Sequence, residues 1–144
     1  MLLITIVLSL LLQNGEPIKV ENAWIRTSAK GANSAMFFDV VNNSDKPDTL
    51  YKAESNLSEI VEVHETFSQG DMMGMRKIDF VVIPPKSTFN FKPRAHHVML
   101  IKLKEELKED TKGEVTLYFK SGTKITVDAD IKDMIKMRQG MKKK

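Results

Sequence analysis

From Pro17 onward, apolar and polar residues alternate with a period of two rather than 3.6. Ile125, Val127, Ala129 and Ile131 alternate with Thr126, Asp128 and Asp130; Val115, Leu117 and Phe119 alternate with Thr116, Tyr118 and Lys120. Successive strand side chains point to opposite faces, so each run has one face for a core and one for water. Ser121-Gly122 lies between the two runs and predicts a hairpin. The same reading predicts strands over 18–26, 34–42, 49–54, 59–67, 75–83, 88–92 and 97–103. Turn residues separate them: Asn42-Asn43-Ser44-Asp45, Ser68-Gln69-Gly70-Asp71, Pro84-Pro85 and Pro93. Many short strands with regular breaks predict an all-β antiparallel sandwich or barrel.

Two segments depart from this period. Residues 104–112 are highly charged and read as a solvated loop or a single helical turn. Near the C-terminus Met134, Met137 and Met141 fall at i, i+3 and i+7, the stripe of a short amphipathic helix or a frayed tail. A soft-metal tail is the functional alternative, because thioethers bind copper(I). Lys142 to Lys144 then form a basic end.

Residues 2–12 read LLITIVLSLLL, and no charge appears before Glu16. The run is too short to span a bilayer, which takes about 20 residues. It resembles the apolar region of a secretory leader, although no Lys or Arg precedes it and no A-x-A site follows it. A buried N-terminal strand or helix is the alternative. The expected organisation is a signal peptide over 1–15, one β-domain over 16–132 and a Met/Lys-rich tail over 133–144, with the mature protein exported and not stably inserted in a membrane.

Composition narrows the chemistry. The 144 residues are 42% hydrophobic and 28% charged, as a single globular domain requires. A formal net charge of +3 with no aromatic-plus-basic cluster gives no argument for nucleic acid. Cysteine is absent, which removes disulfides, thiolate zinc sites, iron–sulfur clusters, blue-copper centres and a residue to carry a lipid anchor. Absence of thiols also suits an oxidising compartment. No H-E-x-x-H, G-x-S-x-G, Walker loop or G-x-G-x-x-G is present, and no nucleophile–base pair is evident, so the expectation is a protein that is not an enzyme.

Nine methionines stand beside three histidines. Within 59–67, Val61, Val63 and Phe67 share one face and His64 lies on the other with Glu62 and Thr66. Within 75–80, Ile78 and Phe80 share a face and Met75 lies opposite. A methionine on a polar face asks for a reason. His97 and Met99 are two apart, so on a strand they point the same way with Cα atoms roughly 6.6 Å apart. Three strands thus offer two imidazoles and two thioethers. Thioether sulfur is soft and selects copper(I) over zinc, magnesium or calcium, and a neutral set suits a monovalent ion. The ligands must be deprotonated, so affinity should fall as pH drops through the imidazole pKa, roughly 6.5. Each residue also has a bland reading: His64 as an ordinary surface histidine, Met99 as core beside Ile101 and Leu103, and Met72 and Met73 as turn or gap-filling residues. His96 points away from His97 on a regular strand and ranks as a neighbour.

The spacing His64-x10-Met75-x21-His97-x-Met99 resembles the copper signature of the PCu(A)C family. Further likenesses are Trp24-Ile25-Arg26, Asn43-Ser44-Asp45 with Asp48-Thr49-Leu50, Val61-Glu62-Val63-His64-Glu65, Val82-Ile83-Pro84-Pro85 and His97-Val98-Met99-Leu100. The resemblance runs from about Val20 to Ile131. It departs at Pro93-Arg94-Ala95-His96, where the family commonly has Pro-Gly-Gly. The resemblance implies a cupredoxin-like antiparallel Greek-key β-sandwich and a periplasmic chaperone binding copper(I) through His64, Met75, His97 and Met99; a monomer is the default expectation for a transient carrier. It further implies delivery to the dinuclear copper site of cytochrome c oxidase subunit II, often with a Sco-type protein. A copper buffer or resistance protein and a metal-free interaction module are the competing expectations.

Overall fold

The computed structural model describes residues 16–142. The expected signal peptide over 1–15 and the last two lysines lie outside them. Ten strands and one helix follow in order: β1 Ile18–Arg26, β2 Ser34–Asn42, β3 Asp48–Glu54, β4 Ser58–Gln69, β5 Met72–Lys77, β6 Val81–Ile83, β7 Ser87–Phe91, β8 His96–Leu103, β9 Lys112–Phe119, β10 Lys124–Lys132 and α1 Met134–Lys142. The all-β expectation is met, and the architecture is cupredoxin-like.

Hydrogen bonding runs without interruption through β5-β4-β8-β2-β1-β10-β9-β3-β6, with β7 attached to β2. The central strand β2 pairs with β8 through 34–36 and with β7 through 38–42, and with β1 along its other edge. The expected wholly antiparallel pairing fails at one place: β1 and β10 run parallel, Trp24 opposite Asp130. No turn joins them, because the whole domain separates them in sequence, and only short connections force antiparallel neighbours.

The two arms of the sheet enclose one core. Met36, Phe38 and Val40 of β2 meet Val63 of β4, Val98 and Leu100 of β8, and Leu117 and Phe119 of β9, all buried. Phe38 stacks on Phe91 with ring centroids 4.3 Å apart, a contact worth about 0.5–1.5 kcal/mol beyond its area. Buried polar residues are tied down. Asn42 donates to the carbonyls of Lys46 and Ile83 and accepts from Ser44. Asp48 accepts from the Ser121 amide at 3.1 Å and from its hydroxyl, which locks the β9–β10 hairpin to β3.

Two local expectations are corrected. The single strand over 75–83 is two: β5 pairs with β4, and β6 with β3, on separate parts of the sheet. The break falls at Ile78–Phe80 and leaves Phe80 exposed, not on a common inward face with half-buried Ile78. The charged 104–112 loop is anchored by Leu107, which is buried in the core and bridges to Ser28 through paired backbone hydrogen bonds. The C-terminal methionine stripe is helical. Asp133 caps it, its carboxylate accepting from the Ile135 amide at 2.9 Å. No helix among the described residues is long and apolar enough to cross a membrane.

Candidate metal site

β4, β5 and β8 lie side by side, and their registers gather the predicted residues. His64 stands directly opposite His97, Glu62 opposite Met99, and Thr66 opposite Met75. Directly opposed residues share a face of the sheet, and so do residues two apart on one strand. His64, Met75, His97 and Met99 therefore lie on one face, turned away from Val63, Val98 and Leu100. His96 lies on the other, packed edge-on to Phe89 with centroids 5.0 Å apart, and its Nε2 is 3.6 Å from the Glu65 carboxylate. It is a neighbour separated from the quartet by the sheet.

This face is not open to water, as a polar face would be. His97 is only 3% exposed, and the His64 side chain 14%. Trp24 and Phe37 form an aromatic wall beside them. Their centroids are 4.7 Å apart, and Phe37 lies 6.2 Å from His97. The expectation that His64 faces outward holds for its direction and fails for its exposure. Met75, in contrast, is 56% exposed.

The two imidazoles are held in complementary states. Nε2 of His64 lies 2.8 Å from Oε2 of Glu62 and donates to it. Nδ1 of His97 lies 3.4 Å from the Ala95 carbonyl, the one acceptor within reach of that ring among the described residues. Each remaining nitrogen, Nδ1 of His64 and Nε2 of His97, is buried without a hydrogen-bond partner among the described residues, and the ring centroids are 5.7 Å apart. A buried acceptor without a donor is costly and rare. Burial holds the His97 pKa below its ordinary value, against the smaller opposing effect of the Ala95 carbonyl; His64 and Arg26 lower it further. Low pKa keeps the Nε2 lone pair free.

Beside the pair opens a cleft of about 330 Å³, lined among others by His97, Met99, Met75, Met73 and Met134. His64 does not line it; it flanks His97. Met73 and Met134 were not in the predicted quartet. Met73 is two residues from Met75 and opposite Ser68, hence on the same face. The strand was expected to begin at Met75, which hid this relation; the Met73-Gly74-Met75 spacing carries the signal. Gly74 between them leaves room for an aromatic ring. A Cβ there would stand 2.8 Å from the Phe67 ring, which crosses β5 on the opposite face. Met134 reaches the cleft from α1, so only the tertiary fold brings it there. Among the described residues no group of three or more His, Asp or Glu is arranged to hold a metal. The predicted donors on this face are imidazole and thioether, and its one contacting carboxylate, Glu62, is bonded to His64.

A buried imidazole pair beside a thioether-lined cleft, on a cupredoxin-like β-domain, defines a class of small soft-donor domains. The chain belongs to the family described as "Putative lipoprotein LpqE-like", whose model matches residues 18–131. It is 30% identical over 123 residues to "Putative lipoprotein Lxx21020" of Leifsonia xyli subsp. xyli, spanning 84% of this chain and 73% of that protein. It is 28% identical over 108 residues to "Uncharacterized protein RP573" of Rickettsia prowazekii, spanning 74% of this chain and 60% of that protein. Among solved structures it resembles the copper-bound PCuAC domain from PmoF2, with TM-score 0.69 and 26% identity over 82% of this chain and 94% of that one. It also resembles the copper(I) form of DR1885 from Deinococcus radiodurans, with TM-score 0.63 and 25% identity over 85% of this chain and 83% of that one. These structural neighbours agree with the PCu(A)C resemblance of the sequence.

Proposed function

We propose that this protein is a copper(I) carrier that binds one ion through His64, Met75, His97 and Met99 and passes it on without turnover. The observation that carries the reading is the pair of buried, unpartnered imidazole nitrogens, Nδ1 of His64 and Nε2 of His97, on neighbouring strands beside a thioether cleft. A bound soft cation supplies the partner that both nitrogens lack, and thioethers favour copper(I) among the biological metals. The copper-bound PCuAC neighbours support the same ion.

The residues divide the work. Glu62 holds His64 by its Nε2–H, which directs the Nδ1 lone pair to the ion; such a carboxylate–histidine contact fixes ring orientation and raises ligand basicity. Ala95 does the same for His97. Trp24 and Phe37 keep water from the imidazoles. Met75, on the exposed β5 edge, is the ligand an acceptor reaches first, and exchange one ligand at a time avoids releasing the free ion.

The carrier acts outside the cytoplasm in this reading, with the dinuclear copper site of cytochrome c oxidase subunit II as recipient, directly or with a Sco-type thiol protein. The apolar run at 2–12 and the family's description support export, while the sequence itself contains no cysteine for a lipid. A copper(I) titration against a competing chelator tests the reading. One tight equivalent is expected, lost in His64→Ala/Met75→Ala. No tight binding overturns it, and a second equivalent surviving the double variant favours a buffer that uses the α1 methionines.

A further inference from the structure

Three of the four arginines in this chain, Arg26, Arg94 and Arg138, line the thioether cleft, and no lysine among the described residues does. They come from the end of β1, the β7–β8 turn and α1, so the convergence is a product of the fold. No carboxylate among the described residues lines the cleft with them. Among the described residues none of the three makes a side-chain hydrogen bond or ion pair, whereas the fourth, Arg76, is bonded to Glu65 at 2.7 Å and lies over the Phe67 ring. Arg94 and Arg138 are exposed. Arg94 also holds a φ of 69°, a left-handed backbone that residues bearing a Cβ adopt at a cost.

A site for a cation gains nothing from three guanidinium groups around its mouth, since like charges repel. Their use lies elsewhere. Guanidinium is a planar fork that grips carboxylates through two parallel hydrogen bonds, which lysine does not do. Next to the arginines the β4–β5 hairpin exposes Met73, 65% accessible, together with Met75. Exposed methionine beside arginine, in a cleft lined by neither lysine nor carboxylate among the described residues, is the composition of a protein-binding surface.

We infer that the mouth of this cleft docks an acidic segment of a partner protein. Its carboxylates engage Arg26, Arg94 and Arg138, and its apolar side chains cover the hairpin methionines. The inference deepens the carrier reading and rests on it for its purpose: docking holds the partner's copper ligands over Met75. Opposite charges at the rim speed encounter and set orientation more than they add affinity.

The test uses the full chain and two synthetic peptides with the same Met/His centre, one flanked by Asp and Glu, the other by Ser and Gln. Fluorescence anisotropy on the copper-free protein at low salt should show the acidic peptide binding at least about tenfold tighter, a preference that shrinks as salt screens it. Arg94→Glu/Arg138→Glu should abolish the preference. Lys120→Glu/Lys124→Glu, an equal charge change at the far end of β10, should keep it. Arg94→Gly/Arg138→Gln relaxes the backbone at 94 and serves if the charge reversal perturbs folding; it too should lose the preference. Equal binding of the two peptides, or equal loss in the lysine variant, overturns the inference. A chelator titration of copper(I) on the unsubstituted protein separates the two readings, and the arginine variants should bind copper(I) as it does. Peptide docking by the unsubstituted protein without copper binding leaves the surface and removes the carrier; copper binding by it with no docking preference does the reverse.

Discussion

His64 and His97 stand directly opposite each other on β4 and β8, their rings 5.7 Å apart, and each buries one nitrogen with no partner. Two such acceptors on one rung of a sheet are an unstable arrangement for its own sake. Replacing His97 by leucine removes an unsatisfied buried nitrogen and fills the same space. His97→Leu is therefore expected to unfold at a urea midpoint at or above that of the parent while losing copper(I). A large fall in the midpoint would mean that the ring is held by bonds rather than kept free.

Glu62 tests the geometry more finely. Glu62→Gln keeps an acceptor for the His64 Nε2–H, and Glu62→Leu does not. Loss of such a contact typically lowers metal affinity about 10–100-fold. The leucine variant should show that fall and the glutamine variant much less of it. Nitrogen-15 spectra of the copper-free protein provide a second readout: the Nε2–H tautomer of His64 should survive in glutamine and mix with the other in leucine. Unchanged spectra in both would remove Glu62 from the site.

The lowered pKa of His97 has a definite sign for stability. Above the ordinary histidine range neither folded nor unfolded chain is protonated there, and the group costs nothing. As pH falls below about 6.5 the unfolded chain takes up the proton first, so stability falls until the lowered folded pKa is passed. Denaturation midpoints measured from pH 7.5 to 5 should show this loss in the parent and a shallower one in His97→Leu. Copper(I) affinity should fall over the same range, because protons compete for the same lone pairs.

The two kinds of methionine should separate cleanly. Met75 is mostly exposed and Met36 is fully buried in the core. Met75→Ala should change stability by no more than about 0.5 kcal/mol while weakening copper binding. Met36→Ala should cost about 2–5 kcal/mol and leave the site chemistry intact in the folded fraction. Chemical denaturation with the chelator titration alongside reads both.

Removing α1 probes the cover of the cleft. Among the described residues no member of the buried core lies beyond Ile131, so a chain ending at Asp133 should unfold within about 0.5 kcal/mol of the parent. Without Met134 and Arg138 the cleft loses one wall, and transfer of copper(I) to a chelator, followed by stopped flow, should be faster. A large loss of stability would show that the helix is part of the domain.

What the sequence determined by itself was local. Alternation along 59–67 and 97–103 set the face of each residue, because side chains on a strand must alternate, and so His64, His97 and Met99 were legible as a set apart from Val63, Val98 and Leu100. The Ser121-Gly122 hairpin was legible for the same reason, Gly122 taking the positive φ of 97° that the turn needs. Tertiary structure decided whatever depends on pairing between distant strands. It set the His64–His97 rung, the parallel β1–β10 pair, the split of 75–83 into β5 and β6, and the burial of Leu107 in a charged segment. It also turned an apparently solvated face into a sheltered one, since Trp24 and Phe37 come from strands whose neighbours no local pattern names. The same holds for Met134 and for Arg26, Arg94 and Arg138. Periodicity states which way a side chain points, and only the packing of the chain states what it meets there.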